Sequence, residues 1–122
     1  MLLTALRKGL GQVIVWGDQL TRVQPLQRSA EQQADVEREL ASMSLYQFHA
    51  CPFCVKVRRH LHQLNLPIEL RDAANDPTHR SALAAGGGTV KVPCLRIQGG
   101  EQDTWLYESD EIIAFLRGKF SA

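Results

Sequence analysis

Apolar residues recur at two different spacings along this chain, and each spacing predicts one type of element. Short runs that are continuous, or that alternate with polar residues, predict four strands, at 45–48, 66–71, 90–97 and 103–107. Apolar positions three or four residues apart predict three amphipathic helices, which begin at Pro52, Pro77 and Ser109. The predicted order over 44–122 is therefore β-α-β-α-β-β-α, an α/β sandwich around a mixed sheet.

The predicted helices carry boundary signals of their own. Pro52 suits a first helical position, the glycines at 86–88 are expected to stop the second helix, and Ser109 is a good N-cap for the last. The core stripe of the first helix consists of Cys54, Val57, Leu61 and Leu64. The basic side chains between these positions, Arg58 among them, are therefore expected on the surface.

The first 43 residues follow a different pattern. Apolar positions at helical spacing between residues 3 and 13 predict an amphipathic helix, with a short strand at 13–16 as the alternative. A second helix is predicted over 29–40, capped by Ser29 with Gln32 three residues later. We predict a helical N-terminal extension over 1–43 and a compact domain over 44–122. Residues 1–20 are expected to pack on the domain or on a second copy, with weak membrane-surface contact or disorder as the alternatives.

Composition limits the classes of function that the chain supports. With 122 residues there is room for one domain and a short extension, and a net charge of +1 gives no support for nucleic-acid binding. Three cysteines do not resemble the framework of a secreted disulfide protein, and residues 1–10 lack the order of a secretory signal. We expect a cytoplasmic protein, with peripheral attachment to a membrane left open.

Cys51-Pro52-Phe53-Cys54 is the stretch that carries chemistry. It follows a predicted strand and opens a predicted helix, so Cys51 lies where unpaired N–H groups and the helix dipole favour a thiolate. Cys54 is three residues later on the same helix face and can reach back to Cys51. Such a pair can form and release a disulfide by exchange. Half of a zinc site is the alternative, but no second ligand pair follows at a suitable distance, so no metal is expected.

Three motifs together resemble a glutaredoxin: Cys51-Pro52-Phe53-Cys54 after a strand, Val92-Pro93, and Tyr107-Glu108-Ser109 at the start of the last helix. The second and third motifs also resemble the glutathione-binding domain that begins glutathione S-transferases. The resemblance covers 44–120. It implies a thioredoxin-like three-layer sandwich with a mixed four-stranded sheet.

The resemblance also implies a role for individual residues. Cys51 corresponds to the nucleophile, Cys54 to the second cysteine that closes an intramolecular disulfide, and Pro93 to a cis-proline that faces the pair. The backbone of Val92 is expected to pair with the cysteine of glutathione like an added strand. Glu108 and Ser109 correspond to the pair that binds the γ-glutamyl end.

Two positions depart from the glutaredoxin pattern. Many glutaredoxins have a lysine three residues before the first cysteine, where it binds the glycine carboxylate of glutathione, but this chain has Phe48 there. Lys91 is the first candidate to replace it, and Arg59 the second. Phe53 replaces the commoner tyrosine, which removes a hydroxyl donor beside the thiolate. Outside these motifs, Cys94 is expected to be a small buried apolar residue.

The resemblance implies a glutathione-dependent thiol-disulfide oxidoreductase, with glutathione as cosubstrate and glutathionylated or disulfide-containing proteins as partners. A 2Fe–2S carrier that uses Cys51 and glutathione is an alternative, although the related carriers usually have glycine where this chain has Pro52. A non-catalytic glutathione-binding module is another. Conjugation of electrophiles, as in a glutathione transferase, would need the helical second domain that supplies the electrophile pocket.

Overall fold

The computed structural model describes residues 24–121. They form four helices and four strands in the predicted order, α-β-α-β-α-β-β-α. The helices are α1 (Ala30–Leu40), α2 (Pro52–Gln63), α3 (Pro77–Gly87) and α4 (Ser109–Phe120). The strands are β1 (Met43–Gln47), β2 (Glu69–Asp72), β3 (Cys94–Ile97) and β4 (Thr104–Tyr107). The helix predicted between residues 3 and 13, the alternative strand at 13–16 and the contacts expected of 1–20 lie outside the described residues.

The four strands form one mixed sheet in the order β2-β1-β3-β4. β1 and β2 are parallel, because α2 carries the chain back along the sheet between them. β3 is antiparallel to both β1 and β4. The predicted α/β fold with a mixed four-stranded sheet is confirmed.

Alternation along the strands divides the core into two layers. Leu45 and Leu95 are opposite each other and belong to the larger apolar cluster, to which α2 contributes Leu61 and α4 contributes Leu116. Their neighbours Tyr46 and Cys94 are also opposite each other and lie in a second cluster with Leu83 of α3. The sheet is therefore the middle layer of three, as the resemblance implied.

Helix α1 is attached to the domain at a few points. Its N-terminus has the predicted capping box, in which Ser29 and Gln32 bind each other's backbone N–H groups. Leu40 is its one buried residue and joins the larger cluster. Just before the helix, Arg28 donates a 2.5 Å hydrogen bond to the carbonyl of Phe120. The division between an extension and a domain at residues 43 and 44 remains a prediction.

The first strand begins earlier than predicted, at Met43, and the second and third strands begin several residues later than predicted. β3 begins at Cys94 and not at residue 90: the Val92–Pro93 peptide bond is cis, and Pro93 has no N–H to donate to a neighbouring strand. β2 begins at Glu69 and not at residue 66, since the Ile68 N–H bonds locally to the Leu66 carbonyl at 2.9 Å.

The last helix begins at Ser109 as predicted, but the cap predicted for it and the end predicted for α3 were wrong. Ser109 is the first residue of α4, and Glu108, with a φ of 68°, is the N-cap. α3 continues through Gly87 and ends at Gly88, whose φ of 92° is the left-handed conformation that glycine adopts readily. The first two glycines of 86–88 therefore lie inside the helix.

Gly86 and Gly87 allow α3 to approach the aromatic side chains of β4. A Cβ atom on Gly86 would collide with the ring of Trp105, and one on Gly87 would collide with the hydroxyl of Tyr107. That hydroxyl donates a 2.9 Å hydrogen bond to the carbonyl of Thr89. Gly86 and Gly87 therefore allow the helix to pack closely on the sheet. Gly88 is the residue at which the helix ends.

This contact predicts opposite effects for the same substitution at two helical glycines. Gly87→Ala is expected to lower the free energy of unfolding by about 1–3 kcal/mol, because the methyl group displaces Tyr107. Gly118→Ala in α4 is the matched control, since a Cβ there meets no atom within 4 Å. It is expected to raise the free energy by up to about 1 kcal/mol through helix propensity. Urea unfolding of both variants measures the difference, and equal stability of Gly87→Ala and the original chain would contradict the contact.

Candidate active site

Cys51 occupies the N-terminus of α2, where the sequence predicted it. It is the N-cap residue, with extended backbone angles of −72° and 127°, and Pro52 takes the first helical position. The Cys51 carbonyl accepts the first-turn hydrogen bond from Val55 at 2.9 Å, while the Cys51 side chain makes no capping bond. Cys51 is a free, partly exposed cysteine at the positive end of the helix.

Cys54 is the buried member of the pair. Its thiol accepts a 3.4 Å hydrogen bond from the backbone N–H of Phe48 and interacts with the side chain of Cys51. Burial raises the pKa of Cys54 to about 12, and the nearby Cys51 sulfur adds to the increase. Cys54 is thus a neutral thiol at pH 7. One sulfur is partly exposed, and the other is buried and protonated beside it.

The raised pKa of Cys54 predicts how its reactivity depends on pH. In a Cys51→Ser variant, alkylation of Cys54 is expected to rise about tenfold per pH unit between about pH 8 and pH 10 without levelling off, because the thiolate fraction keeps increasing. Free cysteine in the same samples is the control and levels off near its ordinary pKa of about 8.5. Site-resolved mass spectrometry with iodoacetamide measures both rates. A plateau for Cys54 below about pH 9 would contradict the shift.

Arg58 holds the loop between β1 and α2. The side chain is buried and donates hydrogen bonds to the side chain of Gln47, to the carbonyl of Phe48 at 3.5 Å and to the carbonyl of His49 at 2.5 Å. Its charge also acts to lower the pKa of Cys54, against the larger effect of burial. The expectation of a surface arginine was wrong. The spacing of Arg58 in the sequence could have indicated its burial. Arg58 comes four residues after Cys54, and so it lies on the same face of the helix.

The second motif lies on the same side of the sheet as the loop before Cys51. The side chains of Val92 and Phe48 both pack against the smaller buried cluster, which places the cis Val92–Pro93 bond on the same side of the sheet as the loop that precedes Cys51. Phe48, which departs from the glutaredoxin pattern, thus packs against the core where a lysine would carry a charge.

The third motif lies beside α2. Lys56, in the second turn of α2, binds Asp110, in the first turn of α4, at 2.6 Å, so the N-terminal halves of the two helices are neighbours. Ser109 is 7% exposed, and Glu108 precedes it with its carbonyl bonded to the N–H of Ile112 at 3.1 Å. Cys51 and the Glu108-Ser109 pair therefore open neighbouring helices.

Lys91 and Glu108 form an ion pair. The Lys91 ammonium lies 2.5 Å from a Glu108 carboxylate oxygen, and both side chains are more than half exposed. The two residues were predicted separately, Lys91 for the glycine carboxylate of glutathione and Glu108 for its γ-glutamyl end. The structure places them in direct contact.

Phe53 and Cys94 differ in exposure. Phe53, within the cysteine motif, is 61% exposed, which leaves an apolar ring beside Cys51. Cys94 is fully buried, as expected, and burial raises its pKa to about 11. Among the described residues, no three histidine, cysteine, aspartate or glutamate side chains are grouped as a metal site. Over the same residues, no helix is both long enough and apolar enough to cross a bilayer.

Two grooves of the described part of the chain have no cysteine in their lining. One, of about 510 Å³, is lined mainly by apolar residues around Leu61, Leu66 and Ile68, with His49 and Arg58 at its polar side. The other, of about 630 Å³, lies at the start of β1 and the end of α4 and includes Met43 and Phe115. Neither groove is lined by Cys51, Lys91 or Glu108.

Residues 45–122 match the family described as glutathione S-transferase, N-terminal domain. Prostaglandin E synthase 2 of Danio rerio is 32% identical over 114 residues, which are 93% of this chain and 27% of that protein. Prostaglandin E synthase 2 of Mus musculus is 35% identical over 75 residues, which are 62% of this chain and 19% of that protein. The chain thus spans about a quarter or less of the length of these relatives.

Among solved structures, glutathione transferase Omega 2C of Trametes versicolor aligns with a TM-score of 0.54 at 23% identity, over 65% of this chain and 38% of that one. This likeness shows the fold, and it agrees with the sheet and helix order described above. The predicted resemblance to the domain that begins glutathione S-transferases is confirmed by the family match.

Proposed function

Since this chain belongs to the family of glutathione S-transferase N-terminal domains, we propose that it is a glutathione-dependent thiol-disulfide oxidoreductase. The single observation that carries the proposal is the pair of free cysteines at the start of α2, with Cys51 partly exposed and Cys54 buried as a neutral thiol. A thiol at a helix N-terminus, with a second thiol beside it, has the arrangement that disulfide exchange requires.

The reaction begins at Cys51. Its thiolate attacks the glutathione sulfur of a protein–glutathione disulfide, so a Cys51–glutathione disulfide forms and the protein leaves as a thiolate that takes up a proton. A second glutathione thiolate then attacks the glutathione sulfur of this intermediate. Oxidised glutathione leaves, and the Cys51 thiolate is restored.

Cys54 offers a second route from the same intermediate. After losing its proton, it attacks the Cys51 sulfur, releases glutathione and closes the Cys51–Cys54 disulfide. The high pKa of Cys54 makes its thiolate rare at neutral pH, which favours resolution by free glutathione. Substrates with a glutathione adduct are therefore favoured over those with an internal disulfide.

The proposal is tested by following release of a thiol from a glutathionylated peptide in the presence of glutathione. The full chain is expected to accelerate release well above the rate with glutathione alone. A peptide that carries a cysteine adduct in place of glutathione is the matched substrate control and is expected to react more slowly. No acceleration with either peptide would contradict the proposal.

A second candidate comes from the relatives' name. The match to prostaglandin E synthase 2 extends over 93% of this chain, beyond the family match. Prostaglandin E formation by the same preparation tests this candidate. Activity that survives Cys51→Ser while peptide deglutathionylation is lost would separate the two functions, and absence of the product would leave the oxidoreductase as the function supported.

A further inference from the structure

Three cations lie near the imidazole of His60, where α2 and α4 run side by side. Two come from α2 and one from the last turn of α4, and together with His60 they form what we call the basic cluster: Lys56, Arg59 and Arg117. Lys56 and Arg117 are exposed. Asp110 binds Lys56 at 2.6 Å and offsets one of the positive charges. The basic cluster therefore keeps an excess of positive charge on the surface.

The contact between Arg117 and His60 requires an uncharged imidazole. The guanidinium of Arg117 lies 2.9 Å from Nδ1 of His60, and because a guanidinium can only donate hydrogen bonds, Nδ1 must accept. Burial lowers the pKa of His60 below its ordinary value, and the positive charges of the other three side chains in the cluster lower it further. At pH 7, His60 is therefore a neutral group among three cations.

The chemistry of the basic cluster fits a carboxylate. A carboxylate accepts charge-assisted hydrogen bonds from Arg117, and its negative charge relieves the repulsion among the three cations. The same charge favours the protonated form of His60, which can then take up a proton from solvent at Nδ1 and donate it to the carboxylate. Binding of carboxylates at this cluster is therefore coupled to proton uptake by His60.

The basic cluster lies along the helix that begins with Cys51. At a rise of about 1.5 Å per residue, Lys56 is roughly 7 Å and His60 roughly 13 Å from Cys51 along the helix axis. An extended segment spans these distances with about two to four residues. A protein whose modified cysteine meets Cys51 can therefore place side chains two to four residues away against the cluster.

We propose that the basic cluster is a docking surface for an acidic segment of the glutathionylated protein, and that His60 takes up a proton when this segment binds. The inference rests on the proposed function, because the docked protein is the substrate of Cys51. It gives the enzyme a preference among glutathionylated proteins. Those with carboxylates two to four residues from the modified cysteine bind more tightly, because their charge is complementary to that of the cluster.

Docking is tested separately from chemistry, with two peptides in which serine replaces the modified cysteine. One peptide has glutamate at the second and fourth positions after the serine, and the other has glutamine there. NMR titration of the full chain at low ionic strength gives the Kd of each peptide and follows the ring signals of His60. The acidic peptide is expected to bind about tenfold more tightly. It is also expected to raise the pKa of His60, so its Kd is lower at pH 6 than at pH 7.5.

Three variants locate the docking surface. Arg117→Gln is expected to lose most of the preference for the acidic peptide, and His60→Gln is expected to lose the dependence of its Kd on pH. Arg80→Gln, at an exposed arginine of α3, is the matched control and is expected to keep both. Equal binding of the two peptides to the full chain, or an equal loss in Arg80→Gln and Arg117→Gln, would overturn the inference. So would tighter binding of a short oligonucleotide than of the acidic peptide.

Failure of the proposed function gives a different result. The same two peptides, with glutathionylated cysteine in place of serine, are used as substrates, and the acidic one is expected to have a kcat/KM about tenfold higher at an unchanged kcat. Equal kcat/KM for the two substrates would overturn the docking surface and leave the oxidoreductase. If neither substrate is turned over while the acidic serine peptide still binds at the cluster, the oxidoreductase is overturned and the docking surface has lost its role in that reaction.

Discussion

Replacing Cys51 by serine is expected to reduce turnover of a glutathionylated peptide by at least roughly a thousandfold, because a hydroxyl is a far weaker nucleophile than the thiolate at the start of α2. Cys54→Ser is expected to retain most of the deglutathionylation activity. The buried Cys54 thiol of the original chain, whose pKa is about 12, is not needed when glutathione resolves the intermediate. Reduction of an internal protein disulfide is expected to fall in both variants, since that reaction needs the second sulfur.

The two variants together separate the routes. Initial rates are measured over a range of glutathione concentrations, and near-ultraviolet and far-ultraviolet circular dichroism show that each variant remains folded. Cys94→Ser provides a control at a cysteine that is buried in the smaller cluster and that the proposed reaction does not use. Its rate per folded molecule is expected to match that of the original chain. Equal loss of deglutathionylation in Cys51→Ser and Cys54→Ser would argue against resolution by glutathione.

Arg58→Gln is expected to lower the free energy of unfolding by about 3 kcal/mol. The shorter, neutral amide cannot reach all the groups that the buried guanidinium binds, namely the side chain of Gln47 and the carbonyls of Phe48 and His49. Buried acceptors left without donors account for most of the loss. The loop before Cys51 also loses its anchor, so turnover per folded molecule is expected to fall as well.

The same change at an exposed helical arginine is the control. Arg80→Gln in α3 is expected to change the free energy of unfolding by less than about 0.5 kcal/mol, because Arg80 lies on the surface. Urea unfolding of both variants and of the original chain gives the comparison. A loss at position 58 no greater than that at position 80 would show that the loop does not depend on the buried guanidinium.

Much of the fold could be predicted because apolar spacing is a local property. The periodicity of residues 44–122 gave the order of strands and helices, and Pro52 marked the start of α2 because a proline there lacks only an N–H that would have no helical partner. The position of Cys51 at that start follows from the same local rule. Residues near one another in sequence were therefore sufficient to place Cys51 at the helix N-terminus.

Boundaries and side-chain roles depended on distant contacts. Gly86 and Gly87 looked like a helix stop until Trp105 and Tyr107 were placed against them. Arg58 looked solvated because the loop that it binds folds back over it only in the tertiary structure.

By itself, then, the sequence determined the mixed α/β fold, the thiol pair at the start of a helix and the three motifs that resemble a glutathione site. Only the tertiary structure decided that Cys54 is a buried neutral thiol, that Arg58 anchors the loop before Cys51 and that Lys91 contacts Glu108, 17 residues away in the chain. The physical reason is that burial and charge pairing depend on which elements pack together. The spacing of residues along one helix or strand does not indicate which other elements pack against it.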